Sequence, residues 1–173
     1  IFADRLSQLT YSFTKDGISG AVGVFQPLDP VSFGGNGFVG DSGSKTPGFH
    51  GKLRYDFDTG FISTTFLSQS VDTTFNDYDA TGIDLTFVYN MGNTSLLASG
   101  FSANGLGHYG LLIDGSDNAA NPRNSDGYFI QATHKLDNTK LGINYGISNC
   151  DLAHQDTAIQ FKQQSKLTVG VDY

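Results

Sequence analysis

The chain has 173 residues, a formal net charge of −7 and 22 glycines, a share well above the ordinary ~7%. Glycine at that level excludes a helical bundle, and basic residues that are scattered rather than clustered make nucleic acid a poor partner. Charged residues are only 16% and hydrophobic ones only 38%, so neither an ordinary charged surface nor an ordinary oily core is encoded, while 14 Phe and 8 Tyr argue against disorder.

The length suits one domain, 1–173. A single cysteine, Cys150, excludes an internal disulfide framework and a Cys-based zinc site. No apolar run approaches the ~18 residues of a transmembrane helix and no signal peptide is visible, which leaves membrane barrels open.

In a strand, successive side chains point to opposite faces, whereas a helix repeats every ~3.6 residues. Taken in chain order, alternation weakly marks residues 6–13 and 18–25. It is clearest over 49–57, where Phe49, Gly51, Leu53, Tyr55 and Phe57 oppose His50, Lys52, Arg54 and Asp56. A weaker run covers 61–70. Over 83–90, Ile83, Leu85, Phe87 and Tyr89 oppose Asp84, Thr86, Val88 and Asn90. A weak run at 94–103 precedes 128–136, where Tyr128, Ile130, Ala132, His134 and Leu136 oppose Phe129, Gln131, Thr133 and Lys135. Leu141, Ile143, Tyr145 and Ile147 face away from Gly142, Asn144, Gly146 and Ser148, and Leu167, Val169, Val171 and Tyr173 away from Thr168, Gly170 and Asp172. The pattern predicts nine strands and no helix.

The connections alternate in length. Lys15-Asp16-Gly17, Asp58-Thr59-Gly60, Met91-Gly92-Asn93 and Asp137-Asn138-Thr139 read as tight hairpin turns. Between them fall longer polar connections at 26–48, 71–80, 104–126 and 149–165. A soluble sandwich has no reason to keep its short turns at one end, but a transmembrane barrel does, because its periplasmic turns are short and its extracellular loops long. The strand lengths suit tilted spans of ~9–11 residues. Aromatics near the ends of the apolar faces, at Phe49, Phe57, Tyr89, Tyr128 and Tyr173, suit interfacial girdles. On the opposite face, His50, Lys52, Arg54 and Asp56 would cost several kcal/mol per ion to bury in a dry core. They can line water.

Three segments resemble the Gram-negative general-diffusion porins: Asp4-Arg5-Leu6-Ser7-Gln8-Leu9-Thr10-Tyr11; Gly127-Tyr128-Phe129-Ile130-Gln131-Ala132-Thr133 with Thr139-Lys140-Leu141-Gly142-Ile143-Asn144-Tyr145-Gly146; and Ser165-Lys166-Leu167-Thr168-Val169-Gly170-Val171-Asp172-Tyr173. Their order and spacing, rather than any one of them, carry the resemblance, which covers most of the chain outside the long loops. The resemblance implies an antiparallel transmembrane β-barrel of about 16 strands in the bacterial outer membrane, assembled as a homotrimer. It also implies contact with outer-membrane lipid (lipopolysaccharide and phospholipid) and no cofactor. On that pattern the chain supplies the sixth to fourteenth strands, with strands missing before Ile1 and after Tyr173 and the inward-folded constriction loop just before Ile1.

The residues expected to line the pore are Arg5, His50, Lys52, Arg54, Asp56, Asp84, Gln131, Lys135, Asn144 and Asp172. Arg5 stands where the resemblance places a basic-wall arginine whose fixed charge would set a transverse field. Its odd numbering matches the apolar set Leu9, Tyr11 and Phe13, so an eyelet position requires a bulge or a rim placement.

Other motifs have blander readings. Gly35-Asn36-Gly37-Phe38-Val39-Gly40 matches a dinucleotide fingerprint, but no helix follows it, and it reads as loop glycine. Gly40-Asp41-Ser42-Gly43 resembles a serine-protease nucleophile segment, yet His50, His108, His134 and His154 all follow Ser42, whereas that family's base precedes its serine. Asp77 with Asp79, and Asp114 with Asp117, lack the ordered spacing of a calcium loop. His134 falls on the apolar face near a turn, where an interfacial or subunit-facing role outweighs a metal ligand. Asn93-Thr94-Ser95 reads as turn chemistry.

The function these readings favour is passive diffusion of small hydrophilic solutes and ions, with no reaction catalysed. The alternatives are an outer-membrane barrel enzyme using Asp77, Asp79 or His108 at its rim, and a soluble β-rich binding module.

Overall fold

A computed structural model describes residues 7–27, 46–72, 76–107, 115–117, 119–153 and 162–172. The described residues form one antiparallel sheet of nine strands: β1 (Gln8–Lys15), β2 (Ile18–Phe25), β3 (Gly48–Phe57), β4 (Gly60–Val71), β5 (Tyr78–Met91), β6 (Thr94–Asn104), β7 (Asn124–Leu136), β8 (Thr139–Cys150) and β9 (Gln163–Asp172). Each strand pairs with its neighbour in the chain, and no helix occurs among the described residues. Tight turns of two residues join β1 to β2, β3 to β4, β5 to β6 and β7 to β8, so all of them lie at one end of the sheet. At Asp16 and Gly17 both turn residues have positive φ, 50° and 80°, the conformation whose twist matches the flanking strands.

The long connections are all shorter than the sequence suggests, spanning 26–47, 72–77, 105–123 and 151–162. Val71, Tyr78 and Ala80, assigned to a polar loop over 71–80, belong to β4 and β5, and the link between these strands is only 72–77. Val71 pairs with Tyr78 and Gln69 with Ala80. These apolar residues are buried, so their packing extends the ladder into a stretch whose polar neighbours hide it.

Every ladder keeps a constant register with no bulge. A row perpendicular to the strands starts at Lys15, the turn end of β1, and runs through Ile18, Tyr55, Ile62, Phe87, Ala98, Ile130 and Tyr145 to Leu167, midway along β9. The strands are therefore progressively staggered, as tilted strands must be in a sheet that curves toward closure.

The register also explains the abundance of glycine and phenylalanine. Phe13 lies opposite Gly20, Phe25 opposite Gly48, Phe66 opposite Gly51 and Phe101 opposite Gly127. In each pair the ring occupies the space above the glycine: a Cβ built there would meet the Phe ring at 2.5, 2.4, 2.1 and 2.5 Å respectively. The aromatic covers its neighbour and shields that strand's backbone, an arrangement that pins register.

The two faces differ. One carries Leu9, Tyr11, Val22, Leu53, Phe66, Ile83, Leu85, Phe87, Tyr128, Ile130, Ile143, Leu167 and Val169, all exposed; Leu9 reaches 76% and Val169 71%. Toward the turn end of this face, Phe57 stacks on Phe87 and Phe87 on Tyr89, with ring centroids 6.1 and 6.4 Å apart. Toward the other end it becomes polar, and cross-strand hydrogen bonds link Asn104 to Asn124, Asn149 to Asp126 and Gln163 to Asn149.

The buried hydrophobic cluster sits on the opposite face, at the end away from the tight turns. Val71, Tyr78, Ala80 and Ala103 from β4, β5 and β6 meet Leu106 and Ala120 from the β6–β7 connection, with Leu67 and Phe101 packed alongside. A short bridge between Ser116 and Pro122 folds that connection back on itself.

Candidate functional site: the polar face

Alternation places the polar face, and register arranges it in rows. One row runs Lys52, Thr65, Asp84, Phe101, Gly127, Ser148 and Gln164; the next toward the turns runs Arg54, Ser63, Thr86, Ser99, Phe129, Gly146 and Lys166. A third runs Asp56, Phe61, Val88, Leu97, Gln131, Asn144 and Thr168, and the last, at the turns of β7–β9, joins Lys135, Lys140 and Asp172. His50, Lys52, Arg54, Asp56, Asp84, Gln131, Lys135, Asn144 and Asp172 thus share one face, as their parity predicts. Arg5 lies outside the described residues, as do Tyr173, His108, Asp114 and the glycine-rich segment 35–43.

Arg54 is held in place. Its Nε donates to both carboxylate oxygens of Asp56, at 2.9 and 3.0 Å, and its guanidinium lies 3.6 Å from the centroid of the Phe61 ring. A planar guanidinium suits both contacts at once, a bidentate carboxylate on its edge and an aromatic ring on its face. The pair remains in contact with solvent, the side chains being 32% and 45% exposed.

Asp84 is fixed differently. The backbone N–H and the hydroxyl of Thr65 donate to its carboxylate at 3.1 and 2.7 Å, while Lys52 stands on the far side of Thr65 in the same row. Thr86 and Ser99 share a hydroxyl hydrogen bond of 2.8 Å in the neighbouring row. His50 meets Thr10 across β2, at 3.3 Å. The result is a face of hydroxyls, amides and fixed charges of both signs, interrupted by Phe61, Val88, Leu97, Phe101 and Phe129, whose polar groups can hold water and exchange hydrogen bonds with a passing solute.

Two lysines of this wall escape the sequence reading. Lys140 pairs with Lys135 and Asp172, and Lys166 with Gly146. Both had a usable signal, since Lys140 shares the parity of Gly142 and Asn144, and Lys166 that of Thr168, but each stands just outside the clean alternating run.

The remaining candidates are tied to local structure. Asp79 accepts from the Ser70 hydroxyl at 2.9 Å. Asp117 accepts from the backbone N–H groups of Ala119 and Asn121 at 2.8 and 2.9 Å and from the Asn121 amide at 2.8 Å, closing its own turn. His134 lies on the apolar face and meets the Thr94 hydroxyl at 2.9 Å through Nδ1. Among the described residues no group of three His, Cys, Asp or Glu side chains could hold a metal ion.

The fold is thus a staggered antiparallel sheet, apolar on one face and polar and charged on the other, with tight turns gathered at one end. No protein-family model matches the sequence, and no curated protein does. A solved structure is similar: the crystal structure of the outer membrane channel DcaP of Acinetobacter baumannii matches with a TM-score of 0.68 at 17% identity, over 84% of this chain and 44% of that one. At that identity the likeness concerns the fold, and the chain spans less than half the length of its neighbour.

Proposed function

We propose that this chain is the greater part of the wall of an outer-membrane porin, a water-filled channel through which small hydrophilic solutes and ions diffuse passively. The observation that carries the reading is the division of one continuous sheet into an apolar face that stays exposed and a polar face that bears charge. In water, an exposed belt running from Leu9 to Val169 would be an aggregation surface; against lipid it is the surface that a barrel requires. From Ile83 to Met91 the apolar side of β5 runs about 27 Å along the strand at ~3.4 Å per residue, or about 20 Å of height at a strand tilt of ~35–45°. That is of the order of the ~25 Å apolar band of outer-membrane barrels.

Two further observations support it. The single rhythm of short and long connections matches periplasmic turns and extracellular loops, and the fold resembles that of DcaP, an outer membrane channel. In this reading Lys52, Arg54, Asp56, Asp84, Gln131, Lys135, Asn144 and Asp172 face the lumen and the wall charges set ion preference. Further strands close the barrel to about 16, three copies associate, and no reaction is catalysed.

The test is single-channel recording of the full-length protein in planar bilayers. Stepwise conductance grouped in threes is expected, and a flat current at every voltage and with every electrolyte would sink the proposal.

A further inference from the structure

Resting on the channel reading, we propose that the polar face of β7–β9 carries a binding site for a small oxyanion of the phosphate type, near the end of the wall where the tight turns lie. Its floor is a pair of glycines. Gly142 of β8 and Gly170 of β9 face each other in the register, and both share the parity of Asn144 and Thr168. They differ from the glycines that a phenylalanine covers. A Cβ built on Gly170 would meet nothing within 4 Å, and one on Gly142 would meet only the Thr133 methyl at 3.5 Å. The Phe–Gly pairing that accounts for glycine at 20, 48, 51 and 127 does not account for these two, which leave a recess open on the polar side.

The rims of the recess supply the chemistry. Two residues toward the turns, Lys135, Lys140 and Asp172 stand side by side, and two residues the other way stand Gln131, Asn144 and Thr168. At ~3.4 Å per residue the backbone of each rim lies about 7 Å from the glycines, a gap that the flexible four-carbon stem of a lysine can lean across. Lys135 and Lys140 are directly opposite each other, an arrangement that like charges make unfavourable. Among the described residues neither is in an ion pair, and both are exposed. An anion seated above Gly142 offsets their repulsion. It accepts charge-assisted hydrogen bonds from the ammonium groups on one side and amide and hydroxyl hydrogen bonds from Asn144 and Thr168 on the other.

The wider field agrees with this placement. On the polar face of β7–β9, Lys135, Lys140 and Lys166 outnumber Asp172, whereas on β3–β5 Lys52 and Arg54 are matched by Asp56 and Asp84. A sector of one sign draws counter-ions to itself. Lysine, a compact point charge, suits a phosphoryl group, while planar bidentate recognition of a carboxylate calls for arginine. Arg54 is already bound to Asp56. Asp172 beside Lys140 tempers the attraction, and conduction requires a site that releases its ion.

The experiment records the full-length protein in planar bilayers in potassium chloride while inorganic phosphate is added at constant ionic strength. The wild type is expected to lose chloride current to phosphate along a saturating curve. Two variants are compared with it: Lys135→Gln combined with Lys140→Gln, and Gly170→Val, which fills the floor and leaves every charge in place. Each is expected to raise the half-maximal phosphate concentration about tenfold. A wild-type response retained in Gly170→Val would reduce the lysines to a diffuse field and overturn the site, as would a conducting wild type that phosphate does not affect. A wild type that never conducts defeats the porin reading instead, and the site with it. Should Gly170→Val fail to insert, Asn144→Leu takes its place, since it too keeps the charge and removes a donor from the opposite rim. A phosphate response in that variant equal to the wild type's refutes the site.

Discussion

Arg54 shows how one residue acquires a fixed role on an otherwise solvated wall. A lysine at this position would swing freely, but the guanidinium is held at its edge by Asp56 and at its face by Phe61, so its charge occupies a defined place. The carboxylate that orients it also cancels much of its field. The two partners are therefore expected to shift ion preference in opposite directions. Asp56→Asn leaves the wall more positive and moves the reversal potential in a salt gradient toward anions, while Arg54→Ala leaves Asp56 uncompensated and moves it toward cations. Displacement of both variants to the same side, or of neither, would contradict a lumen position for the pair. Urea midpoints are expected to stay near wild type, since an ion pair this exposed contributes little to stability. Gly60 is a different kind of residue, chosen for absence. A Cβ there would lie 1.9 Å from the Val88 carbonyl oxygen and 2.8 Å from its carbon, which is backbone and cannot swing aside. Gly60→Ala is expected to cost about 1–3 kcal/mol, visible as a lowered urea midpoint in folded liposome preparations; an unchanged midpoint would mean that the β3–β4 hairpin relaxes freely.

At the scale of the strand, adjacent residues on β5 face opposite worlds. Leu85 is 55% exposed on the apolar side, while the Thr86 hydroxyl meets Ser99 on the polar one. Leu85→Lys is therefore expected to lose roughly 2–4 kcal/mol of stability in the bilayer and to reduce the heat-modifiable folded species on gels. Thr86→Lys should fold normally and change only the current; equal damage from both would show that the parity does not separate lipid from water. This alternation is what the sequence displays most openly, and it was enough to place nine strands and most of the polar wall. It failed where an element's last residues leave the pattern. Val71, Tyr78 and Ala80 sit among polar neighbours and reveal themselves as strand only when Leu106 and Ala120 pack on them from a segment far along the chain. The Phe–Gly pairs were hidden for the same reason. Glycine at 20, 48, 51 and 127 is plain in the sequence, but that a phenylalanine lies across each one is a fact of register, and register comes from pairing two strands rather than reading one. Lys140 and Lys166 were hidden in the wall itself, since a single strand end does not say whether alternation continues through it.

For the whole molecule the sheet's two edges are decisive. All eight residues of β1 are exposed, and eight of the ten in β9 are too; neither strand has a partner on its outer side among the described residues. A strand edge with free N–H and C=O groups does not survive in hydrocarbon, where no water satisfies them, and in water it templates association with other chains. The stagger along the row from Lys15 to Leu167 continues in one direction without reversing, and in the proposed channel further strands carry it round from β9 to β1. The 173-residue segment expressed by itself is therefore expected to associate through its edges into heterogeneous oligomers, with no heat-modifiable band and no stepwise conductance, while the same residues within the full-length protein resist both heat and protease. The measurement is direct: fold the segment and the full-length protein side by side into liposomes, then compare electrophoretic mobility before and after boiling and record both in planar bilayers. Discrete channels from the segment alone, with conductance that does not depend on protein concentration, would mean that nine strands close on themselves. The channel reading built on a wider barrel would then fall.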